Sequence, residues 1–409
     1  TYKELGLDWK ANHSTFGEND PISLYEEGIY EGYRYFDTFG KDVLYPFGSG
    51  LSYSDFTFTD MSVEANEEEK SITVTATVNN VTEDETIPEG KEVMEVYVSA
   101  PEGKLEQPYQ KLVDFEKSEK LASGESQTIS IDIPLDEFAS YDEEQAAYIL
   151  EPGEYYLRVG SSSRDTHVAG AFVVEEEILV EQLSNKMEMA EENKEVYEEE
   201  RLSSKDAAPI TYEGEKEELE KAKEEAVVIT ADDVEISAEA PVFEETVVEE
   251  LPQNSPVYTF KAVQDGTITL AQFVSQMTQE ELIMLCSGGA TAGITTYYSD
   301  DNGIQIDNVN TKINQATSGA GASRSIERLN IPSIGYADGS AGISYNQTET
   351  VIDKNVGWSR AGAVACIWNK DLLYRFGDAV GKEMREINID YWLAPSINLH
   401  RNPLNGRNN

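Results

Sequence analysis

The residues best suited to chemistry lie in two loops near the end of this 409-residue chain. Asp338 stands in Ala337-Asp338-Gly339-Ser340-Ala341-Gly342, directly after the apolar run Ser333-Ile334-Gly335-Tyr336-Ala337. In parallel α/β folds, a residue just past the carboxyl end of a strand faces the ligand. The glycines let the backbone turn sharply and leave the carboxylate exposed. The plainer reading is an Asp that caps the following turn. The second loop follows the strand-like Tyr391-Trp392-Leu393-Ala394 and runs from Pro395 to Asn408, with Arg401, Arg407 and four asparagines. Arg and Asn supply fixed donors and acceptors in bidentate geometry, which suits neutral polyols. Structural ion pairs of Arg401 and Arg407 are the competing explanation. His400 in the same loop is a weaker candidate, because a lone loop His more often serves structure.

Other reactive types offer less. The run Ser318-Gly319-Ala320-Gly321-Ala322-Ser323 resembles a phosphate cradle only superficially; it follows no predicted strand and lacks the full glycine spacing. Cys286 ends an amphipathic stretch and Cys366 sits among apolar residues, so both read as unreactive core thiols. Two cysteines and three histidines exclude a disulfide scaffold, a Cys-based zinc or iron–sulfur site and a histidine-rich metal centre.

The elements that must position these loops follow from periodicity. Residues 256–409 read as alternating strand and helix. Thr269 to Cys286 carries apolar residues at helical spacing, Lys370 to Ile387 reads as an amphipathic helix, and Gly362 to Cys366 fits either a strand or a helix. That alternation argues for parallel strands, of which two or three occur before Asn409. Residues 55–176 read instead as an all-β unit. Alternation is clear in Ile72–Val78, Val93–Val98, Thr128–Ile133 and Tyr155–Val159, separated by turns such as Glu151-Pro152-Gly153. This is the pattern of an immunoglobulin-like sandwich without Cys…Trp…Cys spacing, hence a fibronectin-type relative.

Charge marks the segment between them. Residues 175–250 hold 27 acidic and 7 basic residues, within a chain of net charge −47. Residues 177–255 therefore read as an acidic linker, partly helical over Glu213–Glu225, which bridges or wraps with few buried side chains. The overall charge opposes nucleic-acid binding, since no basic patch overrides it. The longest apolar stretch, Ala361 to Trp368, falls far short of the roughly 20 residues that cross a bilayer. Thr1 to Lys10 has neither a signal-peptide pattern nor an initiator Met, so the chain is expected to begin inside a longer protein. The compartment is not fixed, with cytoplasm favoured. A homo-oligomer stays open.

Several blocks closely resemble glycoside hydrolase family 3. They are Tyr30-Glu31-Gly32-Tyr33-Arg34-Tyr35-Phe36-Asp37, Leu44-Tyr45-Pro46-Phe47-Gly48-Ser49-Gly50-Leu51-Ser52-Tyr53, Leu150-Glu151-Pro152-Gly153-Glu154-Tyr155, Val159–Ser163, Ala337-Asp338-Gly339, Trp368–Leu372 and Arg401–Asn408. The resemblance implies four segments. Residues 1–54 would close an α/β sandwich domain, 55–176 would form a fibronectin type III-like domain, 177–255 would be the linker, and 256–409 would begin a TIM-like barrel, left incomplete. The fibronectin-like part precedes the barrel, as in the permuted β-glucosidases of that family.

The resemblance further implies a parent enzyme that removes non-reducing terminal β-linked sugars from small β-glucosides or oligosaccharides with retention, using two carboxylates and no cofactor or metal. Asp338 and Arg407 would match residues that bind the sugar. The nucleophile, the acid/base and a Lys-His pair would lie outside this chain, leaving it without a catalytic residue and inactive by itself. Ser340 stands where the family usually has Pro, and Asn409 where an aromatic is usual. From another class, the chain could be a non-catalytic spacer or binding protein. A carbohydrate-binding protein using Asp338 and Arg407 alone is less favoured, since half a pocket binds weakly.

Overall fold

A computed structural model of the chain describes residues 25–84, 86–87, 89–187, 189–240, 249–287, 320–344, 356–387 and 389–397. These fall into two compact units, 25–240 and 249–397.

The first unit opens with α1 (Tyr33–Thr38). It continues through β1 (Phe56–Asn66), β2 (Ser71–Asn80), β3 (Val93–Ser99), β4 (Lys111–Lys117), β5 (Ser126–Pro134), β6 (Ser140–Asp142), β7 (Ala147–Leu150), β8 (Gly153–Ser162), β9 (Asp165–Val174) and β10 (Ile178–Gln182). It ends with α2 (Glu191–Glu200), α3 (Glu215–Glu224) and β11 (Val227–Ile229). One sheet has the order β1-β2-β5, a second β11-β9-β8-β3-β4, and a third β10-β7-β6.

The alternation read from the sequence is what builds the core. Ile72, Val74, Ala76 and Val78 of β2 are fully buried, and Ile129, Ile131 and Ile133 of β5 lie beside them. Met94, Val96, Val98, Leu157, Val159 and Phe172 of the five-stranded sheet share that core. Each such side chain contributes about 1.5–3 kcal/mol by leaving water. The intervening positions of β2 face outward and pair across strands, Thr75 with Ser130 at 2.8 Å and Thr77 with Thr128 at 3.2 Å.

β3 departs from simple alternation. Val93 through Val98 are all buried, including Glu95 and Tyr97. The outer face is covered by the segment before β1: Tyr33 meets Tyr97 edge-on and stacks on Phe47, and Gly48 packs against the Glu95 carboxyl.

The acidic segment also departs from expectation. Its apolar positions are built into the core: Ile178, Val180, Ile229 and Val234 belong to the sandwich cluster. β10 pairs antiparallel with β7, and β11 adds parallel to β9. The short apolar runs between the acids find unpaired strand edges, while most of the charge remains outside.

The second unit contains α4 (Lys261–Gln264), α5 (Leu270–Ser275), α6 (Gln279–Ser287), β12 (Gly321–Ala322), β13 (Gly335–Ala337), α7 (Ala361–Ala365), α8 (Lys370–Ile387) and β14 (Tyr391–Trp392). The single helix expected over 269–286 is two. Thr269 caps α5, and Thr278 exchanges hydrogen bonds with Glu281 to start α6 afresh. The ambiguous 362–366 stretch is helical, and α8 has the expected bounds. Both cysteines are exposed rather than core thiols. The buried apolar positions of their helices are Met284 and Val364, and each cysteine lies two residues past them, off the packed face.

The sheet among the described residues has the order β12-β13-β14. β13 and β14 are parallel, as expected, but β12 runs antiparallel to β13. Ala337, Ile343, Val380, Ile387 and Ile389 form the core between this sheet and α8.

Candidate functional site

Asp338 follows β13 directly, at the carboxyl end of a strand paired in parallel with β14. Ala337 and Ile343, on either side of the turn, are buried, while Asp338 is exposed. The local sequence dictates this shape. The Asp338 carbonyl accepts from the Ser344 N–H at 2.7 Å, closing the turn. Gly339 and Gly342 have φ of 120° and 127°, and a Cβ on Gly339 would lie 1.9 Å from the Gly342 carbonyl oxygen. Only glycine fits there. The Gly339 carbonyl accepts from Trp392 Nε1 at 2.8 Å, and Ala341 O accepts from the Trp358 N–H at 3.0 Å. The turn therefore holds a solvent-facing carboxylate on a fixed backbone. Such a group can accept hydrogen bonds from hydroxyls.

The strand that leads into the second loop is also fixed. Leu393 N donates to Ala337 O at 2.8 Å, and Gly335 N donates to Asp390 Oδ2 at 2.7 Å. Arg407, Arg401 and His400 lie outside the described residues. Of the sequence candidates, Asp338 is thus the one whose position is described.

The first unit holds polar groups that sequence reading did not single out. Arg158 of β8 and Glu215 of α3 pair at 2.7 Å, both buried, and Tyr109 also donates to Glu215. Glu106 accepts from Tyr30 Oη at 2.6 Å, Ser203 Oγ at 2.8 Å and Ser204 N at 2.6 Å. Burial works against the Glu106 charge, but these donors outweigh it and hold the carboxyl down to about 2. Glu95 lies under the Phe47–Gly48 segment; burial pushes its carboxyl up to about 8, against the bond from Tyr97. Arg158 alternates with core positions in its strand and so reads as solvent-facing. What covers it is α3, a distant segment, and no local signal announces that. These groups are enclosed and join segments to the sandwich.

The chain is similar to known proteins along most of its length. Residues 92–163 match the fibronectin type III-like domain. The chain is 31% identical to β-glucosidase A of Butyrivibrio fibrisolvens, over 96% of this chain and 46% of that protein. It is 30% identical to a β-glucosidase of Ruminococcus albus, over 95% of this chain and 37% of that one. The structure of a β-glucosidase from Paenibacillus barengoltzii superposes with a TM-score of 0.66 at 26% identity, covering 97% of this chain and 40% of that one. The chain thus spans less than half the length of these relatives. It carries a fibronectin type III-like domain, and its likeness to β-glucosidases of glycoside hydrolase family 3 runs through nearly all of its length.

Proposed function

We propose that this chain is part of a retaining β-glucosidase-type hydrolase that removes non-reducing terminal β-linked sugars, with Asp338 binding hydroxyls of the terminal sugar. The observation that carries the reading is the exposed Asp338 carboxylate on a glycine-fixed turn at the carboxyl end of a parallel strand, in a chain whose relatives are β-glucosidases. Each alignment runs through both units in one pass, which supports the permuted order, fibronectin-like domain before barrel. Residues 256–409 are the start of the barrel in this reading, and Arg407 joins Asp338 at the sugar. The nucleophile and the proton donor come from elsewhere in the protein, so the 409-residue chain orients a sugar without cleaving it.

The test is turnover of an aryl β-glucoside by the purified chain and by the full-length protein. Hydrolysis by the full-length protein alone is expected. Asp338→Ala there lowers kcat/KM by about 1–3 kcal/mol or more, since sugar hydroxyls are left unpaired. Turnover by the chain itself, abolished by Asp338→Ala, would show a complete site within these residues. A full-length protein that neither cleaves nor binds glycosides would favour a non-catalytic spacer.

A further inference from the structure

We propose that Trp392 and Glu383 are positioning residues that clamp the Asp338 turn from two sides, a role that rests on the glycosidase reading above. A turn with glycines at 339 and 342 has large conformational freedom when unsupported, and a carboxylate carried on it would have to be ordered each time a sugar binds. Here the carbonyls on both sides of Ser340 are tied down. On one side, Trp392 Nε1 donates to Gly339 O at 2.8 Å, and Trp392 is itself registered against Ala337, the residue before Asp338. On the other, the Trp358 N–H donates to Ala341 O at 3.0 Å.

Trp358 is in turn held by Glu383, which projects from α8 and is only 8% exposed. Its Oε2 accepts from Trp358 Nε1 at 2.7 Å and its Oε1 from Val356 N at 2.9 Å. A carboxylate buried in this unit costs free energy unless it is hydrogen-bonded, and both its donors belong to the segment that secures the turn. Phe376, about two turns earlier on α8, meets the Trp358 ring edge-on at 5.2 Å and fixes the indole plane. Two elements, β14 and α8, thus converge on the backbone of the turn that carries the exposed carboxylate.

The experiment pairs kinetics with amide exchange on Trp392→Phe, which removes the indole N–H but keeps an aromatic ring, and Glu383→Gln, which keeps side-chain volume. In the full-length protein each variant is expected to raise KM for an aryl β-glucoside about ten-fold while kcat stays within about three-fold, the pattern of sugar binding lost equally from ground and transition state rather than of lost chemistry. In the 409-residue chain, exchange of the Ser344 amide, which donates to Asp338 O, is expected to accelerate about ten-fold in either variant relative to Leu373 inside α8. Unchanged Ser344 exchange overturns the clamp, whether or not the protein turns over glycosides. Faster exchange with unchanged KM, or a fall confined to kcat, overturns the positioning role. If the wild-type full-length protein has no glycosidase activity, the parent reading fails and the kinetic role falls with it, while Ser344 exchange still decides whether the clamp exists.

Discussion

Arg158 on β8 and Glu215 at the start of α3 form an ion pair of 2.7 Å in which both side chains are shielded from water. The Arg158 guanidinium also lies over the Tyr109 ring, 4.7 Å from its centre. A strand of the sandwich and a helix of the acidic segment therefore share one buried pair of charges. Removing one partner strands the other. Glu215→Ala is expected to destabilise the first unit by about 3–5 kcal/mol, while Arg158→Met with Glu215→Leu recovers most of the loss. Urea unfolding of the full chain, followed through the sandwich tyrosines, checks both. A double variant as unstable as the single one would mean that the pair does more than neutralise itself.

Glu95 sets the alkaline side of stability. Its carboxyl is held up at about 8 by burial, above the ordinary 4.5, with Tyr97 as donor to one oxygen and no partner for the other. In the fold it keeps its proton up to that pH, whereas the unfolded chain releases it near 4.5. Stability therefore declines as pH rises from 4.5 to 8 and is flat beyond. Glu95→Gln should leave stability at pH 4 unchanged and raise it at pH 8.5 by about 1–3 kcal/mol. Identical pH slopes for variant and wild type in thermal melts would contradict this.

Glu106 works in the opposite sense. Its pKa of about 2 lies below the ordinary 4.5, so its contribution is complete above 4.5 and is lost as pH falls toward 2. Glu106→Gln is expected to cost about 1–3 kcal/mol at pH 6 and little at pH 2. The hydroxyls and the Ser204 N–H that it gathers come from the segments 25–54 and 200–206. Acid titration of the melting temperature reads the difference.

Gly339→Ala probes the site turn without touching a charge. With φ at 120° and a carbonyl 1.9 Å from the would-be Cβ, the turn has to move. A local cost of about 1–3 kcal/mol is expected, and on the proposed function the full-length protein should bind glucose more weakly than with a surface substitution. Unimpaired glucose affinity, measured calorimetrically, would separate the turn from the site.

How much of this was legible depended on distance along the chain. The sandwich was legible because Ile72, Val74, Ala76 and Val78 repeat at the period of a strand, and α8 because its apolar positions repeat at that of a helix. The exposed position of Asp338 was legible because a strand precedes it and glycines at 339 and 342 follow. The break between α5 and α6 was missed although Thr278 and Glu281 form a cap spelled out locally. The burial of Arg158, Glu95 and Glu383 was not legible, since each is covered by a segment remote in sequence. Acidity misled most in the linker: Ile178, Val180, Ile229 and Val234 outweigh the charges around them because strand edges were waiting to be paired.

The addition of β11 alongside β9 bears on how copies of this protein avoid one another. β9 is ten residues long and ends in Ala171-Phe172-Val173-Val174. Without β11 the amides and carbonyls of that stretch would face outward as a template for a strand from a second molecule. β11 occupies Phe172 to Val174 with three residues of its own, and Asp232 and Asp233 come after two intervening residues. The same short piece of chain that covers this edge of β9 leaves a new edge of only three residues with acidic residues just beyond it, an arrangement that disfavours edge-to-edge strand pairing.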